Sequence, residues 1–249
     1  MLLSAGLAFD QLARNYDALW TNTLIGRAQR EAVWRWIDPL FRPGDSILDL
    51  GCGTGADAVH MINRGLHVTG VDASTEMVSV ARASGIEAQQ LALENLDRMD
   101  GVYDGVISNF GVLNCVDDLR ALSIQLSRLT RRNSYLAACV MGPVCLWETC
   151  HYLKRSRPRK AFRRWGRAGS VASMGVPVNY PTIAQIRSAF QNHFKLLTWV
   201  GIGLAVPPSY ILGLSANAVT RLQEIDRRLA HRPLLRMFSD HRLLLFRRI

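Results

Sequence analysis

The sequence predicts an α/β fold, doubly wound around a mostly parallel sheet of seven strands. Three observations predict it: short apolar runs alternate with segments of helical periodicity, a glycine-rich turn joins the first run to the helix after it, and 249 residues suffice for one large core. Hydrophobic residues make up 49% of the chain and charged residues 20%, which excludes disordered and low-complexity classes.

Leu12, Tyr16, Leu19 and Leu24, then Val33, Trp36, Ile37 and Leu40, fall at helical spacing and stop at Arg42-Pro43-Gly44, predicting two helices over residues 9–41. Ser46–Leu50 reads as a short buried strand, Gly51–Gly55 as a turn, and Ala56–Arg64 as a helix ended by Gly65. His67–Val71, Ile86–Leu91 and Tyr103–Asn109 read as the next three strands, with a helix over Thr75–Ala83. A helix over Asp117–Arg131 and a fifth strand over Tyr135–Met141 follow. Strands separated by helices at this spacing require parallel βαβ crossovers. Regularity ends at Gly142-Pro143. The segment to Pro181 starts helically at Trp147, then carries eight basic residues and no acid between Lys154 and Arg167, and is expected at the carboxyl edge of the sheet. Thr182–His193 resumes as a helix, Phe194–Leu204 as a strand, Ala216–Ala230 as an amphipathic helix and Arg242–Arg248 as the last strand. No internal repeat interrupts this order. Residues 1–249 are therefore expected to form one domain, with N-terminal helices (9–42), a half carrying the glycine turn (45–141), a basic cap insertion (143–181) and a C-terminal part that completes the sheet (182–249).

The formal charge of +10 is uneven, with net −5 over residues 1–150 and net +15 over residues 151–249. An anionic partner for the second part is one reading, and an arginine-rich solvated surface is the other, because 27 of the 30 basic residues are Arg. The five cysteines form no C-x-x-C pair and lie mostly in apolar runs, so reduced thiols and no metal are expected. The first residues lack a basic stretch, and the longest apolar run, Leu196–Leu214, contains Pro207-Pro208; neither a signal peptide nor a membrane span is expected, and a cytoplasmic location follows.

The most informative stretch is Ile47-Leu-Asp49-Leu-Gly51-Cys52-Gly53-Thr-Gly55. Glycines between a strand and a helix let backbone approach a ligand closely, which points to a nucleotide-type cofactor. Asp72, 17 positions after Gly55, ends the second strand in Val68-Thr-Gly-Val-Asp72-Ala73-Ser74, where a carboxylate can accept from both hydroxyls of a ribose. The G-x-G-x-G spacing departs from the dinucleotide fingerprint G-x-G-x-x-G. DLGCGTG followed by GVDAS resembles class I S-adenosylmethionine-dependent methyltransferases, well over residues 9–141 and beyond them only in the order of elements.

The resemblance implies a Rossmann-like methyltransferase sheet, S-adenosyl-L-methionine as methyl donor and S-adenosyl-L-homocysteine as product. It also implies that Asp49 meets the ammonium directly or through water, that Gly51 and Gly53 admit the amino-acid tail, and that Cys52 and Gly55 belong to the same cofactor-binding turn. Asp72, followed by Ala73 and Met77, would hold the ribose side. Phe9-Asp-Gln-Leu-Ala-Arg-Asn-Tyr16-Asp17 is similar to the F-D-x-x-A-x-x-Y-D helix of small-molecule methyltransferases, which makes Tyr16 a lid residue. Asn109 ends the fourth strand where the family lines the methyl-donor site; Asn114 is either an acceptor contact or a helix cap. Where the family places an acid after the third strand this chain has Ala92, which shifts adenine recognition to Leu93 or Glu94.

For the acceptor side, His151 is the candidate base with Glu148 as its orienting partner and Tyr152 beside them, one helical turn or less apart. Trp147, Tyr180 and the pair Arg163–Arg164 are cap candidates, the arginines as a carboxylate or phosphate clamp. Tyr210 is expected on an apolar wall running from Gly201. Asp240-His241 is expected at the far end of the last strand from the cofactor, in a turn. Each has a plainer structural alternative in packing, capping or solvation. The function expected is methyl transfer to a small acceptor, anionic or aromatic, by in-line displacement. One alternative is methylation of RNA or another polyanion through residues 154–167, weakened by Asn109-Phe-Gly-Val in place of (N/D)-P-P-(Y/F). Another is a non-catalytic cofactor-binding partner, against which Asp49, the glycines and Asp72 argue. Peripheral contact with anionic lipid through Phe162 and Trp165 is a further expectation. The sequence does not fix the oligomeric state.

Overall fold

The computed structural model describes residues 4–166, 170–171, 175–211 and 213–249. Arg167, the last residue of the basic run, and Leu212, within the long apolar run, lie outside the described residues.

The chain begins with α1 (Ala5–Asp10), α2 (Ala13–Tyr16), a π-type turn over Asp17–Thr21, and α3 (Leu24–Ile37). The first expected helix is thus broken into pieces. Thr23 accepts from the Gly26 N–H at 2.9 Å and starts a new helix there, while a Cβ on Gly26 would lie 1.9 Å from the Trp20 carbonyl oxygen, so only glycine admits this packing.

Five parallel strands follow: β1 (Ser46–Leu50), β2 (His67–Asp72), β3 (Glu87–Gln90), β4 (Tyr103–Ser108) and β5 (Thr130–Met141). Between them run α4 (Ala56–Ile62), α5 (Thr75–Ala83) and α6 (Leu119–Leu129). The expected helix to Arg131 ends two residues early, where β-branched Thr130 enters β5 and its hydroxyl donates to Leu126 O at 2.7 Å. The cap holds α7 (Leu146–Lys154), α8 (Pro158–Ala161) and a small hairpin, β6 (Ser170–Val171) with β7 (Pro177–Val178), which has no counterpart in the sequence reading. The chain closes with α9 (Ile183–Phe190), β8 (Phe194–Ile202), α10 (Ala216–Leu229) and β9 (His241–Arg248).

The seven-stranded sheet has the order β3-β2-β1-β4-β5-β9-β8. Period-two alternation divides its side chains between two cores. Leu48, Leu50, Val106, Leu136, Leu244 and Phe246 face one way; Ile47, Ile107, Ala137, Leu243 and Leu245 face the other. Each fully buried Leu, Ile or Phe side chain contributes about 1.5–3 kcal/mol, and this two-sided burial fixes the register of every strand tip. β9 runs antiparallel to both neighbours, with His241 paired to Met141 at the end of β5. Asp240-His241 therefore stands at the carboxyl edge, opposite to the expectation, because an antiparallel strand starts where its parallel neighbours finish. No described helix is long and apolar enough to cross a membrane.

Candidate active site

At the carboxyl ends of β1, β2 and β4 lies a cavity of about 250 Å³. Its floor is the turn after β1, where Gly51 adopts φ 67° and a Cβ would fall 2.4 Å from a Val112 methyl. Asp72 Oδ2 accepts from the Gly53 N–H and Oδ1 from the Ser74 N–H, both at 2.9 Å, so one carboxylate ties the two strand tips together. Burial nonetheless outweighs these bonds and raises its pKa. The N-terminal helices close over this floor on two anchors. Asp10 accepts from Ser74 Oγ at 2.6 Å and the Glu76 N–H at 3.1 Å, and the Thr54 hydroxyl donates to Asp17 at 2.7 Å. Phe9 and Tyr16 thereby form the roof.

Two polar groups under that roof lack partners. Asp49 is 2% exposed with Oδ2 unpaired, and Asn109 is 7% exposed with both side-chain polar atoms unpaired. Buried groups of this kind are costly unless a ligand satisfies them. Burial first, then the charge of Asp57, hold the Asp49 carboxyl well above the usual range, and Arg30 offsets this only in part. An ammonium placed against Asp49 would satisfy the carboxylate, and Ala73, Met77, Leu93, Val112 and Val116 give the cavity an apolar lining that suits a heterocyclic base. The donor set thus fits the sulfonium nucleoside that the sequence motif implies.

This predicts a proton linkage. Because the folded pKa of Asp49 is raised, the empty site binds a proton as pH falls toward the acid range, and an ammonium must expel it. Affinity for S-adenosylhomocysteine should therefore rise with pH above the usual carboxylate range, with proton release, seen by calorimetry in buffers of different ionisation enthalpy. Asp49→Asn should abolish the buffer dependence; a wild type with none would remove Asp49 from the site.

Among the residues expected at the cofactor, Tyr16, Gly51, Gly53, Asp72, Ala73, Met77, Leu93, Glu94 and Asn109 line the cavity, whereas Asp49, buried near the end of β1, does not. Cys52 and Gly55 do not line it. The Cys52 thiol packs against Gly70, with its pKa pushed up by burial, and Gly55 faces Ile86 and Ala81.

A second cavity of about 260 Å³ shares Phe9, Tyr16, Phe110 and Met141 with the first. Trp20, Gln29, Arg30, Tyr210, Asp240 and His241 complete much of its wall. Phe110 sits at φ 53°, which a bulky residue rarely adopts, and its ring meets the His241 ring edge-on at 5.5 Å and the Arg30 guanidinium at 4.9 Å. Arg30 is held in turn by Asp57, which also accepts from Trp34 Nε1 at 2.7 Å. His241 Nδ1 lies 3.3 Å from Asp240 Oδ2.

Glu148 occupies a different place from the one expected. It is 1% exposed and accepts two parallel bonds from Arg163, at 2.8 and 2.9 Å, one from Arg164 Nη2 at 2.8 Å and one from the Tyr210 hydroxyl at 2.7 Å. Arg164 also reaches Asp240 Oδ1 at 2.9 Å and Asp240 O at 3.1 Å. Burial opposes both carboxylate charges, but Arg163 and Arg164 at Glu148, and His241 with Arg164 at Asp240, outweigh it and hold both groups below the usual range. Glu148 is thus a counter-ion on the buried side of α7 and does not orient His151, and the arginines clamp the chain's own carboxylates.

Arg163, Arg164 and Tyr210 do line the second cavity. His151 and Tyr152 line neither cavity; the Tyr152 ring lies under Lys160 at 5.8 Å and 5.2 Å from the His151 ring. Trp147 donates to Ala205 O at 2.9 Å, and Tyr180 shares a 3.0 Å bond with Ser170 while its ring lies 5.5 Å from Arg164. Asn114 is fully buried and brackets Met141 and Asn179, donating to their carbonyls at 3.0 and 2.6 Å, which joins β5 to the cap. Sequence reasoning missed Arg30, Phe110, Asp240 and His241. For the last two, the available signal was the direction of the final strand.

The chain matches the methyltransferase domain family over residues 47–133. It is 31% identical over 165 residues to a demethylmenaquinone methyltransferase of Mycolicibacterium vanbaalenii, covering 61% of this chain and 68% of that protein. It is 33% identical over 159 residues to the same-named protein of Mycobacterium marinum, with the same coverage. A solved S-adenosylmethionine-dependent methyltransferase from Mesorhizobium loti superposes with a TM-score of 0.61 at 21% identity, over 91% of this chain and 100% of that one.

Proposed function

As this chain belongs to the class I S-adenosylmethionine-dependent methyltransferases, we propose that it methylates a small aromatic acceptor of the quinone class, bound in the second cavity. The carrying observation is the wall of Phe9, Tyr16, Phe110 and Met141 common to both cavities, which sets a flat apolar acceptor against the methyl-donor site. The names of the demethylmenaquinone relatives direct the choice among aromatic acceptors.

S-adenosylmethionine supplies a methyl group on a positively charged sulfur. Asp49 and Asn109 hold its amino-acid end, Asp72 its ribose, and Phe9, Tyr16 and Phe110 exclude water. In the proposed cycle His241, which stands beside Asp240 on the wall of the second cavity, takes through its ring the proton that a phenolic or enolic acceptor releases on methylation. The polyanion reading loses ground because Arg163 and Arg164 face Glu148 and Asp240 rather than a ligand phosphate.

The test is transfer of labelled methyl to reduced short-chain naphthoquinones and to total RNA, at low and moderate salt. Naphthoquinone methylation with little salt dependence is expected; transfer to RNA alone, falling steeply with salt, would overturn the proposal. His241→Gln should lower kcat about 100-fold with the KM for the methyl donor unchanged. A variant that keeps the wild-type kcat would take the proton-accepting role away from His241.

A further inference from the structure

We propose that the turn between α10 and β9 docks the protein onto a bilayer bearing anionic headgroups. The turn His231-Arg232-Pro233-Leu234-Leu235-Arg236-Met237-Phe238 puts its large apolar side chains outside. Leu234 is 76% exposed, and Leu235, Met237 and Phe238 are exposed beside it, with Leu229 at the end of α10. Apolar side chains so concentrated on eight residues are unusual on a surface that meets only water.

The turn is not a loose tail. The Arg236 guanidinium lies 3.9 Å from the Trp199 ring and donates to Trp199 O at 2.8 Å, Arg242 donates to Met237 O at 2.9 Å, and Arg236 N–H donates to Arg232 O at 3.0 Å. These bonds hold the backbone down and leave the apolar groups facing outward.

Charge selects the occupant. From Arg227 to Ser239 there is no acid, and exposed Arg228 and Arg232 flank the apolar group. Asp226 is buried and accepts from the Ala205 and Val206 N–H groups, so it does not offset them at the surface, and Glu224 is shared between Arg227 and Arg228. Apolar side chains that can enter the acyl boundary, ringed by arginines at headgroup level, match the requirements of an anionic lipid interface. The turn runs directly into Asp240 and His241, which line the second cavity.

Flotation of the full-length protein with phosphatidylcholine vesicles, with and without phosphatidylglycerol, tests this without knowledge of the acceptor. The wild type should float with the mixed vesicles, stay behind with phosphatidylcholine alone and be released by salt. Leu234→Glu with Phe238→Glu should abolish flotation while S-adenosylhomocysteine binding and melting temperature stay at wild-type values, since neither residue lines a cavity. Arg228→Gln with Arg232→Gln should lower partitioning roughly twenty-fold. A wild type that does not float, or a Leu234/Phe238 variant that floats as well as the wild type, would overturn the proposal. So would a wild-type dimer in sedimentation that the same variant dissociates, with no flotation; that result assigns the face to a second copy of the chain.

Discussion

Replacing Asp72 with alanine is expected to weaken S-adenosylhomocysteine binding about a thousand-fold, measured by calorimetry at neutral pH. The residue has two roles, and alanine removes both. In the proposed arrangement its oxygens accept from the ribose hydroxyls, and hydrogen bonds to a charged group are worth about 1.5–3 kcal/mol each. The same oxygens hold the Gly53 and Ser74 N–H groups at 2.9 Å, so their loss also frees the two strand tips to move apart. Two lost bonds at roughly 2 kcal/mol each give the stated factor. Asp72→Asn, which keeps one acceptor oxygen, should fall between wild type and alanine. An Asp72→Ala protein with undiminished affinity would show that the cofactor lies elsewhere.

The second large effect concerns stability. Arg164 is 4% exposed between Glu148 and Asp240, themselves 1% and 3% exposed. Arg164→Met leaves Asp240 with His241 alone and Glu148 with Arg163 alone, and breaking a buried pair of this kind costs about 3–5 kcal/mol. For a chain of this size the melting temperature should fall by roughly 6–20 °C at neutral pH.

The pH dependence carries a sign. Both carboxyls have folded pKa values below their unfolded ones, so in the wild type they add stability above the usual carboxylate range, and it is lost as pH falls through the depressed values. In the variant both carboxyls lose the Arg164 charge, so less acid-sensitive stability remains to be lost. The gap between wild type and Arg164→Met should therefore narrow as pH falls through and below the usual carboxylate range. A variant melting within about one degree of wild type at neutral pH would mean that the carboxylates find other partners.

The cavity at the first strand tips was legible because its signals are local. Asp49, the glycine turn and Asp72 sit within one βαβ unit, and the strand–turn–helix pattern that places them is written in adjacent residues. The second cavity was not, because its contacts join distant positions. Glu148 meets arginines 15 and 16 residues later and a tyrosine 62 residues later, so its proximity to His151 in sequence was misleading. His241 was misplaced because its location depends on a strand direction that no local pattern specifies. The β6–β7 hairpin was missed because two-residue strands leave no periodicity to read.

β9 follows β8 along the chain yet lies between β8 and β5, and this orders events during synthesis. The five parallel strands can pair as they emerge, whereas β8 has no place in the sheet until its successor has been made. A nascent chain halted before residue 241 leaves the β5 edge unpaired and β8 stranded, a state open to aggregation. Assembly of the cofactor cradle therefore precedes that of the acceptor wall, and late frameshifts or stop codons should yield insoluble protein rather than a partly active enzyme.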